Sequence, residues 1–184
     1  MIGIDEVGRG SLVGEVLTCA CFFETHKLDE ILGETKLKDS KKLSEKQRDL
    51  IFSKLTQNVN VKFAIGRASL EEIEKLNILN ATLLAMHRAF LELNLSHIPV
   101  FIDGNKKPKE MPFAQCIIKG DSLIPQISAA SIIAKVVRDS EMKKLSLLIP
   151  EYQIEKNKGY GTKAHFESIK KHGLSSFHRK GWNI

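Results

Sequence analysis

The chain has 184 residues, 42% hydrophobic and 27% charged, the size and balance of one soluble globular domain over residues 1–184, which excludes wholesale disorder and fibrous repeats. No apolar run approaches the ~18 to 20 residues of a bilayer span, and the opening Met1-Ile2-Gly3-Ile4-Asp5-Glu6 lacks the regions of a secretory signal, so a cytoplasmic protein without membrane contact is expected. Lys and Arg outnumber Asp and Glu by 28 to 22, and the excess lies in residues 156–184, where Lys156, Lys158, Lys163, Lys170, Lys171, Arg179 and Lys180 face one acid, Glu167.

Residues 2–7 and 12–23 read as two strands joined by a turn at Gly8-Arg9-Gly10. Cys19, Cys21 and Cys116 form no C-x-x-C pair, which argues against a disulfide framework or zinc knuckle. Ser44-Glu45-Lys46-Gln47 has capping-box form and opens a helix carrying Leu50, Ile51 and Leu55. Residues 59–68 read as a third strand. A second capping box, Ser69-Leu70-Glu71-Glu72, opens a long amphipathic helix through Ile73, Leu76, Leu83, Leu84, His87, Phe90 and Leu91, with His87 expected in the core. Short apolar runs at 98–102 and 113–118 read as buried strands ending at Asp103-Gly104-Asn105 and Lys119-Gly120-Asp121. Pro125 suits the first turn of a helix continuing through Ile132, Ile133, Val136, Val137 and Leu145. Thr162 is placed to cap a last helix that stops near Gly173. Strands first, then alternating helices and strands, predict an α/β sheet covered by helices.

The basic C-terminal segment also holds His165, His172 and His178, and interleaves its cations with Tyr160, Phe166, Phe177 and Trp182. That suits a polyanion such as nucleic acid, whose phosphates attract the charges and whose bases offer stacking faces. A merely solvated terminal helix has the same composition.

Four acids stand where acids are unusual: Asp5 and Glu6 inside the first strand, Asp103 and Asp121 at the ends of the fourth and fifth. Buried carboxylates need a cation, and hard oxygens at the ends of neighbouring strands suit Mg²⁺ or Mn²⁺. An Asp before Gly is by itself more often a turn former; the two strand-embedded acids resist that explanation. Asp139, mid-helix beside Arg138, reads as structural or as a support behind the site residues.

Six ordered segments resemble one known family: Gly3-Ile4-Asp5-Glu6-Val7-Gly8-Arg9-Gly10, Asp39-Ser40-Lys41-Lys42-Leu43-Ser44, Ile102-Asp103-Gly104-Asn105, Lys119-Gly120-Asp121, Ala129 to Asp139, and Lys158-Gly159-Tyr160-Gly161-Thr162. Together they are similar to ribonuclease HII, the bacterial type 2 ribonuclease H, and Gly8-Arg9-Gly10 separates them from ribonuclease HIII. The resemblance implies a ribonuclease H-like fold, a five-stranded mixed sheet flanked by helices, with a C-terminal helical segment. It implies that Asp5, Glu6, Asp103 and Asp121 are the metal-binding catalytic acids, holding Mg²⁺ or Mn²⁺ in a two-metal mechanism. It further implies that Gly8, Arg9, Gly10 and Tyr160 read a ribonucleotide followed by a deoxyribonucleotide, and that Lys41 and Lys42 contact phosphate. The expected substrates are RNA/DNA hybrids and duplex DNA with embedded ribonucleotides, cut to leave a 3′-hydroxyl and a 5′-phosphate; the enzyme is expected to be a monomer with no obligate protein partner. A nuclease of this fold indifferent to the 2′-hydroxyl, such as a junction resolvase, is the alternative enzyme. A hybrid-binding protein without catalysis would lack an acid, and all four are present. Ser11, Glu15, Ile154 and Asn157 depart from the family pattern.

Overall fold

A computed structural model describes residues 1–37, 40 and 43–181. Ile2–Val7 (β1), Val16–Phe22 (β2), Lys62–Ala68 (β3), Val100–Asp103 (β4) and Gln115–Ile117 (β5) form one sheet in the order β3-β2-β1-β4-β5. β1 runs antiparallel to β2, and β2 to β3, whereas β1–β4 and β4–β5 are parallel. The carboxyl ends of β1, β4 and β5 therefore lie side by side, the place where open α/β sheets hold their ligands.

Strand alternation sorts two cores. Ile2 and Ile4 pack with Val100, Ile102, Met86 and Phe90 beneath Leu70–Leu93 (α3). On the opposite face Leu17, Cys19 and Cys21 pack with Ala129 to Ala134 of Pro125–Ser146 (α4), together with Leu28–Leu32 (α1) and Glu45–Gln57 (α2). Asp5 opposes Cys19 in register and so faces α4. The short Ile154–Asn157 (α5) and Lys163–His172 (α6) complete the chain, α5 in a third cluster with Leu12, Val13, Met142 and Tyr152.

The helix starts follow their chemistry. Ser44 with Gln47 and Ser69 with Glu72 make reciprocal capping boxes, Pro125 occupies the first turn of α4, and Thr162 caps α6, which ends at Gly173. The structure departs from the expected elements at five places. α3 is broken at Asn77 (φ 67°), whose Oδ1 accepts from Asn80 N at 3.1 Å and starts the helix afresh. β2 begins at Val16, because residues 11 and 13 make only isolated bridges to Tyr160 and His178. β5 shrinks to three residues, and Phe113 is exposed. Asp121 lies beyond the strand, in a 3₁₀ turn, Gly120–Ser122. His87 is half-buried, not in the core.

Both helices approach the sheet over glycines. A Cβ at Gly66 would lie 1.9 Å from the Ala85 carbonyl oxygen of α3, and one at Gly3 would lie 2.3 Å from Gln126 C and Ile127 N of α4. Backbone cannot retreat as a flexible side chain can. Gly3→Ala is therefore expected to lower the free energy of unfolding by at least about 2 kcal/mol, and urea denaturation measures it. An unchanged midpoint would contradict this packing of α4 on β1.

Candidate active site

Asp5 sits on the α4 face of β1 with 6% of its surface exposed. Glu6, next along the strand, points to the other face near its open end, where Arg9 Nη1 reaches Glu6 Oε1 at 3.1 Å. Asp103 ends the parallel neighbour β4, and its Oδ1 accepts from Gly120 N at 2.6 Å and from Asp121 N at 3.4 Å. One carboxylate thereby orients the turn that carries the fourth acid. All four line one cavity of about 450 Å³, with Val7, Gly8, Arg9, Gly10, Ser40, Ser131, Lys135 and Tyr160.

Burial pushes the Asp5 carboxyl well above the usual range, and the negative charges of Glu6 and Asp103 push it the same way; a Ser131 hydroxyl and the Glu6 N–H oppose them only in part. Ser131 Oγ is in turn 2.9 Å from Ser40 Oγ. Lys135, across the cavity, is engaged by Asp139 at 2.7 Å, and Arg48 Nη2 stands 3.9 Å from the same carboxylate. Asp139 thus holds a lysine that lines the cavity and is not itself among the lining residues.

No three His, Cys, Asp or Glu side chains among the described residues converge as the ligands of one ion in an all-protein cage. The four acids instead surround an open space. This fits hard cations that keep several waters and take substrate phosphate oxygens as further ligands, and a buried carboxylate beside two others is the environment that such a cation relieves.

The wall carrying Gly8-Arg9-Gly10 is held from below by two buried arginines. Arg138 of α4 donates to Glu15 O (2.6 Å), Val13 O (2.9 Å) and Ser11 Oγ (3.0 Å). Arg179 donates to Gly14 O (2.8 Å), Glu15 O (2.9 Å) and Arg9 O (3.1 Å). Burial draws both guanidinium pKa values down, Arg179 to about 9 with the Arg138 charge adding to the effect. Gly8 (φ +87°) must be glycine for this reason also, since a Cβ would stand 2.5 Å from Arg138 Nε, a buried nitrogen without a hydrogen-bond partner among the described residues.

Tyr160 forms the facing wall. Its N–H donates to Asn157 O (2.9 Å), and its carbonyl accepts from Thr162 N (2.8 Å). Lys135 Nζ is 5.9 Å from the ring centre. The departures at Ser11 and Asn157 are accommodated here. Ser11 Oγ donates to Val13 O (2.9 Å) or to Gly159 O (3.0 Å). Asn157 bonds Tyr152 O through Nδ2 (2.7 Å) and accepts from Gly159 N (2.8 Å).

The structure thus unites Asp5, Glu6, Asp103, Asp121, Gly8, Arg9, Gly10 and Tyr160, while Lys41 and Lys42 lie outside the described residues. Sequence reasoning passed over Ser131, Lys135 and Arg138 as site residues, although their i, i+4, i+7 spacing places them on one face of α4. It also counted Arg179, His165 and His178 with the solvent-facing basic tail, whereas all three are buried. Lys163, Lys170, Lys171 and Lys180 are exposed there.

Among the described residues no helix is long and apolar enough to cross a membrane. A sequence profile of the family described as Ribonuclease HII matches residues 2–184. The Ribonuclease HII of Shewanella pealeana is 51% identical over 180 residues, covering 98% of this chain and 86% of that protein. Among solved structures, the ribonuclease H2 of Pyrococcus horikoshii superposes with a TM-score of 0.73 at 27% identity, covering 99% of this chain and 93% of the other. The structure titled as the PCNA:RNase HII complex from Archaeoglobus fulgidus contains a chain that matches with a TM-score of 0.77 at 22% identity, over 100% of this chain and 95% of that one. With the strand order, the four acids at the carboxyl ends of the parallel strands and a family match over nearly its whole length, the chain belongs to the ribonuclease HII family and is an endoribonuclease of the ribonuclease H type with a ribonuclease H-like fold.

Proposed function

We propose that this ribonuclease H, besides cutting the RNA strand of RNA/DNA hybrids, nicks duplex DNA on the 5′ side of an embedded ribonucleotide, using divalent cations held by Asp5, Glu6, Asp103 and Asp121. The observation that carries the reading is that these carboxylates share one cavity with both Gly8-Arg9-Gly10 and Tyr160. Mg²⁺ or Mn²⁺ bound there would supply an activated water and neutralise charge developing on the leaving oxygen.

The chain's own residues supply position and electrostatics. Ser131 and the Glu6 N–H hold Asp5, the Gly120 N–H holds Asp103, and Arg9 holds Glu6. Departure of the 3′ oxygen from phosphorus leaves a 3′-hydroxyl and a 5′-phosphate. The bare backbone at Gly10 admits a sugar closely, and a 2′-hydroxyl, both donor and acceptor, is what separates RNA from DNA there. The Tyr160 ring lies against the next sugar and favours one without a hydroxyl. Exposed lysines of the C-terminal segment, with Lys41 and Lys42, attract the phosphates. Removal of ribonucleotides from DNA and processing of RNA primers are the roles that follow.

Asp5→Asn and Asp103→Asn keep side-chain shape but are poor ligands for a hard cation. Each is expected to cut activity by at least about a hundredfold with the fold retained, read on a labelled duplex bearing one ribonucleotide, with and without Mg²⁺. If both kept more than about a tenth of the wild-type rate, the four acids would not be the catalytic set.

A second expectation separates the two reading elements. A Cβ at Gly10 would lie 3.8 Å from Tyr160 Cε1, an ordinary contact, so Gly10→Ala should leave stability unchanged and slow cleavage of both substrates. Tyr160→Ala should slow the single-ribonucleotide duplex roughly tenfold more than a long hybrid, from stacking worth ~1 to 3 kcal/mol. Equal effects of Tyr160→Ala on both rates would make the tyrosine a packing residue.

A further inference from the structure

Behind Tyr160 lie two buried histidines that the catalytic chemistry does not use. His165 Nδ1 is 3.0 Å from Tyr160 O, His165 Nε2 is 3.1 Å from His178 Nε2, and His178 Nδ1 is 3.0 Å from Ser175 N and 2.8 Å from Ser175 Oγ. The edge of the contact is sealed by Tyr152, whose ring meets His178 at 4.7 Å and His165 at 6.1 Å, and whose hydroxyl donates to Gly173 O at 2.8 Å. Both imidazoles are almost wholly screened from water.

The end groups fix every proton between them. A backbone N–H only donates, so His178 Nδ1 is bare and its proton is on Nε2. A carbonyl oxygen only accepts, so His165 carries its proton on Nδ1 and presents a bare Nε2. The middle contact then has one reading, His178 Nε2–H donating to His165 Nε2. One proton per ring satisfies all four nitrogens, and an added proton sets two donors against each other. Burial acts in the same sense, holding both rings neutral by lowering their pKa values, His178 to about 4.

The anchor of this chain is shared with the other reading element. Residues 175–179 hold Gly14 through Phe177 O (2.9 Å) and Leu12 O through Arg179 N (2.8 Å), and the Arg179 side chain holds Arg9 O. Thr162, which caps α6 through His165 N at 3.3 Å, also donates its own N–H to the Tyr160 carbonyl. One short segment therefore holds the backbone on both sides of Gly10, at Arg9 and Leu12, and reaches the Tyr160 carbonyl through the two histidines.

We propose that His165 and His178 are positioning residues for ribonucleotide recognition, their directed hydrogen-bond chain setting the separation between Gly10 and the Tyr160 ring against which the sugar at an RNA-to-DNA step is read. This rests on the reading of Tyr160 given above.

Two substitutions at His165 divide the chain at different links. His165→Asn places an amide N–H where Nδ1 was, keeping the bond to Tyr160 O and losing that to His178. His165→Gln keeps a group near Nε2 and loses the bond to Tyr160. The measured quantity is the ratio of kcat/KM on a duplex bearing one ribonucleotide to that on a long hybrid, with urea unfolding alongside. Because either substitution severs the chain between Tyr160 and residues 175–179, each should lower the ratio about fivefold or more, whatever either does to stability. In the wild-type protein, ¹⁵N shifts of the imidazoles should show neutral rings with Nδ1–H on His165 and Nε2–H on His178. Wild-type shifts showing other tautomers overturn the chain without any variant having to fold. A Tyr160→Ala variant with an unaltered ratio overturns the reading of Tyr160 and the positioning role with it. An altered ratio in Tyr160→Ala, with unaltered ratios in both His165 variants, overturns the positioning role alone.

Discussion

The organising constraint of this molecule is the burial of a carboxylate, Asp5, in the centre of its sheet. The parallel pairing of β1 with β4 brings Asp103 beside it on the same face, and Glu6 follows directly in sequence. Loss of hydration and repulsion from these neighbours both oppose its charge. Such an arrangement persists only where the surrounding structure determines it, and here the surroundings are rigid. α4 reaches β1 over Gly3 and delivers Ser131 to Asp5, while the Gly120 N–H fixes Asp103 and with it the turn bearing Asp121. Stability is given up at the site to keep hard oxygens aimed into one cavity.

A second expense of the same kind supports the recognition wall. Arg138 and Arg179 are buried beside one another, and their forks are directed at backbone oxygens of residues 9–15. Among the described residues that segment has no sheet partner along its length, only the isolated bridges at Ser11 and Val13, so its carbonyls need donors from elsewhere. A guanidinium offers five in a fixed plane, which a lysine at either position could not reproduce. The consequence is an irregular loop tied down at several backbone oxygens, with positive charge beneath it.

Much of this was legible in the residues. The capping boxes at Ser44 and Ser69, Pro125 and Thr162 marked the helix starts because their chemistry is local. Strand-embedded Asp5 and Glu6 stood out because an acid in an apolar run has no bland explanation, and the family resemblance carried Asp103, Asp121 and Tyr160 with them. What escaped was set by tertiary contact. The break at Asn77 leaves the apolar periodicity of α3 intact on both sides. The first part of the expected second strand is apolar enough for a strand but takes its bonds from two distant arginines. Composition counts Arg179, His165 and His178 as basic tail, and only the fold shows that they are internal struts.

If buried Asp5 and the acids beside it at the sheet's carboxyl edge form a cation site, binding should be read in thermal stability. Melting of the metal-free protein should shift upward by several degrees on adding millimolar Mn²⁺ or Mg²⁺, because a cation that binds only the folded chain stabilises it by mass action. In Asp5→Asn the shift should vanish, while the variant without added cation should melt at or above the wild-type temperature, the cost of burying the charge having been removed. Equal cation-induced shifts in the two proteins, or none in the wild type, would contradict the account.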